Sequence, residues 1–122
     1  MRFNLDVPVE RRVLKPKAAI KLDLEFPPPA SALEASRDWQ ARSADLLKAL
    51  RPGRVPGPVR LTLIYGERPG RRDLDRLIGP VVSLLVRHAL IDSDHRGILR
   101  EVRARWGQKR GVQIAIEPAG AP

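Results

Sequence analysis

The chain has 122 residues, a length that suits one domain with a single hydrophobic core. Its 23 Lys and Arg against 14 Asp and Glu give a net charge of +9, which favours a polyanionic partner, and nucleic acid is the commonest. The absence of cysteine excludes disulfides and thiolate zinc sites, and no apolar run predicts a membrane span or a signal peptide. We therefore expect a cytoplasmic protein with neither a membrane partner nor a small-molecule cofactor.

The first part of the chain predicts two strands and a helix. Apolar residues alternate with polar ones in residues 3–9 and again in residues 20–26, which is typical of half-buried strands. Ser31 and Glu34 have the spacing of a capping box, so a helix should begin there and end at Pro52. Trp39 falls on the apolar stripe of this helix and is predicted to lie in the core.

The remainder predicts a second helix and three strands. Alternation predicts a strand over residues 59–65, and apolar residues almost encircle a helix between residues 74 and 90, which implies burial on more than one side. Pro80 should lie at a kink or in the first turn of that helix. Two alternating stretches, 98–106 and 112–116, predict a terminal hairpin. The order β-β-α-β-α-β-β favours an α/β (α+β) fold with helices packed on one mixed β-sheet.

Asp73 and Asp75 lie among arginines, and in an extended segment their carboxylates would face the same way. Two carboxylates about 4 Å apart repel by roughly 4 kcal/mol at an effective dielectric near 20, so the pair needs a cation. With Asp94 as a third ligand the set suits Mg²⁺, with Mn²⁺ as the alternative ion. The competing interpretation is that the first two acids only pair with neighbouring arginines at a helix start. Asp92 is interpreted as part of a helix-terminating turn, and His95 as a solvated loop residue.

The spacing of these acids carries a family resemblance. The run from Asp73 to Leu77, then Pro80, then Asp94 placed 21 residues after Asp73, resembles the signature D-L-D-N-L-x-K-P of the RusA family of Holliday-junction resolvases and its later aspartate. Residues 28–31 and the predicted terminal hairpin are also similar to elements of that family. The resemblance covers residues 18–118, which leaves 1–17 as an N-terminal extension and 119–122 as a tail.

The resemblance implies a bacterial or phage-encoded homodimer that resolves four-way DNA junctions by Mg²⁺-dependent paired nicks, in recombination and repair. Asp73, Asp75 and Asp94 match the family's catalytic and metal-binding aspartates. Gly79 replaces the family's lysine and Ser83 a common acid, so the alternative is a junction-binding protein with weak or absent cleavage. A basic RNA-binding module is a third possibility. Phosphate contacts are expected from six residues: Arg71, Arg72, Arg76, Arg96, Lys109 and Arg110.

The length of the second predicted helix separates the acids. A helix from Arg76 to Ile91 would be about 24 Å long, too far for one ion to bridge Asp75 and Asp94 of the same chain. If the helices of two chains pack antiparallel about a two-fold axis, the Asp75 end of one meets the Asp94 end of the other. We therefore predict that dimerisation assembles the metal site, unless a kink at Pro80 shortens the helix and the chain folds back.

Overall fold

The computed structural model describes residues 16–25, 33–66 and 74–120, and they form a mixed α+β fold with a four-stranded sheet and two helices. Six of the seven predicted elements are confirmed in the predicted order. The strand predicted over residues 3–9 and the capping residue Ser31 lie outside the described residues. The elements are β1 (Ile20–Leu24), α1 (Leu33–Leu50), β2 (Val59–Gly66), α2 (Leu74–Arg87), β3 (Leu99–Gly107) and β4 (Val112–Pro118).

The sheet has the strand order β1-β4-β2-β3. β4 runs antiparallel to both β1 and β2, whereas β3 runs parallel to β2. The predicted terminal hairpin is therefore wrong, because β2 lies between β3 and β4. Alternation identifies a strand and its buried face, but it does not identify the neighbour to which the strand is hydrogen-bonded. Here the buried strand β2 is hydrogen-bonded on both edges and takes the central position.

The loop from Gly107 to Gly111 allows this topology because it crosses the end of β2. The amide of Gly66 donates a 2.8 Å hydrogen bond to the carbonyl oxygen of Gly111. A Cβ atom at Gly66 would lie 2.6 Å from the carbonyl oxygen of Lys109, so a larger residue would displace the loop. Gly111 itself has a φ of 87°, a conformation that glycine adopts without the cost paid by other residues. The end of β2 thus fixes the position of Lys109 and Arg110.

Both helices pack on one face of the sheet. Side chains along β1, β2 and β4 alternate between buried and more exposed positions, because successive residues of a strand point to opposite faces. Trp39 of α1 is only 3% exposed, which confirms its predicted core position. The core combines sheet and helix residues: Ile20, Leu22, Leu24, Leu61, Leu63, Tyr65, Ile114 and Ile116 with Trp39, Leu47, Leu77, Val81, Leu84 and Leu85.

The side chains of α2 divide into three rows. A buried row faces the sheet and consists of Leu77, Val81, Leu84 and Leu85. A half-buried row packs against the edge of the core and consists of Leu74, Ile78, Val82 and Val86. An exposed row consists of Arg76, Gly79, Ser83 and Arg87. The predicted burial on more than one side is thus confirmed, and within the described part of the chain one side of α2 is exposed.

Pro80 lies inside α2, as the seventh residue of the helix, and not in its first turn. Its ring nitrogen has no hydrogen to donate, so the carbonyl oxygen of Arg76 loses its usual partner within the helix. The helix ends at Arg87, and Ala89 follows with a φ of 61°. The left-handed backbone conformation of Ala89 changes the direction of the chain after α2. The helix therefore ends before the last apolar residues that were predicted to belong to it.

Candidate metal and nucleic-acid site

The segments β2, α2 and β3 form a parallel β-α-β unit, and this unit places the candidate residues at two ends of the molecule. Asp75 and Arg76 lie in the first turn of α2, at the carboxyl ends of β2 and β3. Asp94 lies in the connection from α2 to β3, at the opposite edge of the sheet. Because α2 has 14 residues, the two ends are separated by about 21 Å.

Asp75 and Asp94 of one chain therefore cannot share a metal ion, as the predicted helix length had indicated. Asp94 is exposed to solvent. Asp73 and the side chain of Asp75 lie outside the described residues. Within residues 16–25, 33–66 and 74–120, no three side chains of His, Asp or Glu are grouped closely enough to hold a metal ion. The meeting of the three aspartates across two chains stays a prediction.

Two side chains from neighbouring elements hold the first turns of α2. The hydroxyl of Tyr65 in β2 donates a 2.7 Å hydrogen bond to the carbonyl oxygen of Leu77. The amide nitrogen Nε2 of Gln40 in α1 donates a 3.0 Å hydrogen bond to the carbonyl oxygen of Pro80. These contacts fix the end of α2 that carries Asp75 against both the sheet and the other helix.

Tyr65 is 1% exposed, and its burial raises the pKa of the hydroxyl well above the ordinary value of 10.0 because a phenolate would be desolvated. The contact between Tyr65 and α2 was not predicted from the sequence. The sequence did contain a signal for this contact, since Tyr65 occupies a position predicted to be buried in an alternating strand. A buried tyrosine hydroxyl usually finds a hydrogen-bond partner.

Four of the six predicted phosphate-binding residues lie within the described ranges, and all four are exposed. Arg76, Lys109 and Arg110 lie at the carboxyl end of β2, whereas Arg96 lies beside Asp94 at the other edge. Nζ of Lys109 is 2.5 Å from Oδ2 of Asp23, so a phosphate would compete there with a surface ion pair that contributes about 0–1 kcal/mol. Each end of α2 thus combines an aspartate with basic side chains. Arg71 and Arg72 lie outside the described residues.

The loop after α2 contains acids with different roles. Oδ2 of Asp92 accepts a 3.0 Å hydrogen bond from the amide of Gly57, and Oδ1 lies 3.5 Å from Nη1 of Arg54. Asp92 therefore has a structural role, because it holds the loop before β2 against the turn after α2. The helix ends earlier, at Arg87, so Asp92 does not itself terminate it. His95 is exposed, and its Nδ1 accepts a 3.1 Å hydrogen bond from the amide of Gly97, as expected for a solvated loop residue. Asp94 remains the candidate ligand of this loop.

No protein-family model matches the chain, and no curated protein matches its sequence. Neither of the two described helices is both long and apolar enough to cross a membrane. Function is therefore inferred from the residues themselves and from their places in the fold.

Proposed function

We propose that the protein is a homodimeric endodeoxyribonuclease of the RusA type, which nicks four-way DNA junctions in the presence of Mg²⁺. The observation that carries this proposal is the position of Asp75 and Asp94 at opposite ends of α2, one side of which is open. A second chain offers the simplest way to bring the two ends together. The sequence resemblance at Asp73, Asp75 and Asp94 supplies the reaction class.

The open side of α2 suits packing against an identical helix. Gly79 and Ser83 are exposed and lie one turn apart, with Val82 and Val86 half-buried beside them. A Cβ atom at Gly79 would have nothing within 4 Å, so the surface is flat at that point. Small residues allow two helix axes to approach within about 8–10 Å. Antiparallel packing about a two-fold axis would then bring the Asp75 end of each helix to the Asp94 end of the other.

The donor set fits a hard divalent cation. Asp73, Asp75 and Asp94 offer only carboxylate oxygens, which Mg²⁺ and Mn²⁺ bind, and the first two precede or begin a helix where negative charge is favoured. When bound, the ion would stabilise charge on the scissile phosphate and lower the pKa of a bound water. Arg76 and Arg110 would hold the DNA phosphates at one edge of each site, and Arg96 would do so at the other. Two sites related by two-fold symmetry suit the two equivalent strands of a junction.

A junction-binding protein without cleavage is the second candidate. Gly79 places no cation on α2 where the resembled family has a lysine, and its surroundings leave space for one. Loss of one charge-stabilising group costs about 10²–10³ in rate in comparable sites, so cleavage would be slow. The basic surface would be retained, and binding would not need the metal.

The test compares a synthetic four-way junction, a matched duplex and a structured RNA, each incubated with Mg²⁺ or with a chelator. We expect Mg²⁺-dependent nicks in the junction alone, and loss of those nicks in the Asp94→Asn variant. Tight junction binding without nicks would favour the second candidate. Preferential binding of the structured RNA would contradict both.

A further inference from the structure

The face of the sheet opposite the helices forms a shallow trough with a basic residue on each edge strand. The strand registers place Lys21, Ala115, Thr62 and Arg103 in one row across β1, β4, β2 and β3. The next row contains Asp23, Gln113, Ile64 and Arg105. The two edge strands stand about 14 Å apart, which is three strand spacings. A hollow of about 790 Å³ lies against the β1, β4 and β2 part of this face. Leu50 and Pro52 at the end of α1 also line it, whereas Arg103 and Arg105 of β3 lie outside it.

The floor of this trough is neutral, because the central strands contribute Thr62, Ile64, Gln113 and Ala115. The cations lie on the edges, where Lys21 and Arg105 are exposed. In the part of the chain that the structure describes, neither of these two side chains takes part in an ion pair. A negatively charged chain along the floor could therefore meet a cation on either side.

Three acids of the same face lie close to cations of their own. Asp23 pairs with Lys109, and Glu101 lies 3.3 Å from the Nε of Arg103. Glu117 lies beside Arg60 in the register of β2 and β4, at the other end of the strands from Lys109. Glu25 follows β1 and lies beyond the two rows. Asp23 is thus the one acid of the two middle rows, and it is paired with Lys109. The cations of these rows, Lys21, Arg103 and Arg105, lie at the edges.

We propose that this trough binds a single strand of nucleic acid through its phosphate backbone. A single backbone fits within the distance of about 14 Å between the edge strands that carry Lys21 and Arg105, whereas a duplex is wider than this distance. Phosphate contacts carry no sequence information, so binding should show no base preference. The surface lies on the opposite side of the sheet from α2, and the inference therefore goes beyond the proposed nuclease site and does not depend on it.

The test measures fluorescence anisotropy of a labelled oligodeoxythymidylate of about 15 nucleotides, with chelator present so that cleavage plays no part. The variant is Lys21→Gln with Arg105→Gln. The matched control is Arg37→Gln with Lys48→Gln, which removes two exposed positive charges from the helix layer. Thermal melting of both variants checks that they are folded.

Each phosphate contact to a single strand contributes about 0.7 to the salt slope, so loss of two contacts should lower it by about 1.4 and weaken binding by about 10–30-fold at 0.1 M salt. The control should keep the salt slope of the unmodified chain. Equal affinity and slope in the two double variants would overturn the proposal, as would an equal loss of duplex and single-strand binding. Failure of the protein to nick junctions would leave this result unchanged, which separates the two proposals.

Discussion

The hydroxyl of Tyr65, near the end of β2, hydrogen-bonds to the carbonyl oxygen of Leu77 in the first turn of α2 at a distance of 2.7 Å. The ring of Tyr65 also meets Trp106 of β3 edge-on, with centroids 6.3 Å apart and planes at 64°. Such aromatic pairs add about 0.5–1.5 kcal/mol to the burial of their surfaces. These contacts therefore hold the start of α2, which carries Asp75, against the sheet.

Tyr65→Phe should lower the free energy of unfolding by about 0.5–1.5 kcal/mol, the usual net contribution of one hydrogen bond. The ring and its packing are kept, so the change isolates the hydroxyl. Urea unfolding of the two proteins measures the difference. Unchanged stability would show that the bond to Leu77 contributes nothing.

The raised pKa of Tyr65 predicts a dependence of stability on alkaline pH. Above pH 10.0 the tyrosine of the unfolded chain loses its proton while the folded chain keeps it, so the unfolded state binds fewer protons and stability falls as pH rises. Stability should be independent of this group below that pH. Tyr65 is the only tyrosine of the chain, so phenolate absorbance reports it directly. We expect the absorbance to rise with unfolding, and Tyr65→Phe to lose less stability over the same pH range.

Asp92 and Asp94, two residues apart, should respond differently to the same substitution. Asp92→Asn weakens the contacts to Gly57 and Arg54 and should destabilise the fold by about 1–2 kcal/mol, with nicking retained below the melting temperature. Asp94→Asn changes an exposed residue, so the free energy of unfolding should stay within about 0.5 kcal/mol of the original value, but nicking should be abolished. Thermal melting and a junction assay on both variants provide the comparison. The reverse pattern would place the metal ligand at Asp92.

Replacing Gly79 by the lysine of the resembled family tests whether the lack of a positive charge at this position limits the rate of nicking. Within one chain a side chain at this position meets open space, so Gly79→Lys should fold. Because Gly79 also lies on the proposed contact between the two helices, size-exclusion chromatography must first show that the variant still dimerises. The dimeric variant should nick junctions about 10²–10³ times faster. Gly79→Ala is the control. Its better helix propensity is offset by crowding against the following proline, so its stability should change by less than about 1 kcal/mol. Equal rates for the two variants would show that a cation at this position plays no part.

Much of this fold was predictable because its strands are half-buried. Alternation gives the strand containing Leu61 and Leu63 and its buried face without reference to any other part of the chain. The neighbour of each strand was not predictable in this way. The predicted hairpin failed because the pairing of β4 with β2 depends on a loop that crosses Gly66, and this contact joins residues far apart in sequence.

The same distinction applies to the candidate site. The separation of Asp75 from Asp94 follows from helix length and could be predicted from the chain alone. The hydrogen bonds from Tyr65 and Gln40 to α2 could not be predicted in this way. Each joins two elements of the fold, and the sequence does not show how those elements lie relative to each other. The basic trough depends on the register of four strands and was missed for the same reason.

Mixing two inactive variants tests directly whether each site is built from two chains. Asp75→Asn and Asp94→Asn should each be inactive, but a mixed dimer contains one site with Asp73 and Asp75 from one chain and Asp94 from the other, all intact. Random exchange gives mixed dimers in half of the population with one active site each, so about a quarter of the original nicking rate should return. A mixture of Asp73→Asn with Asp75→Asn is the control, because both changes affect the same half of the site and no activity should return. Mixed dimers that form but show no more nicking than the control mixture would contradict the account.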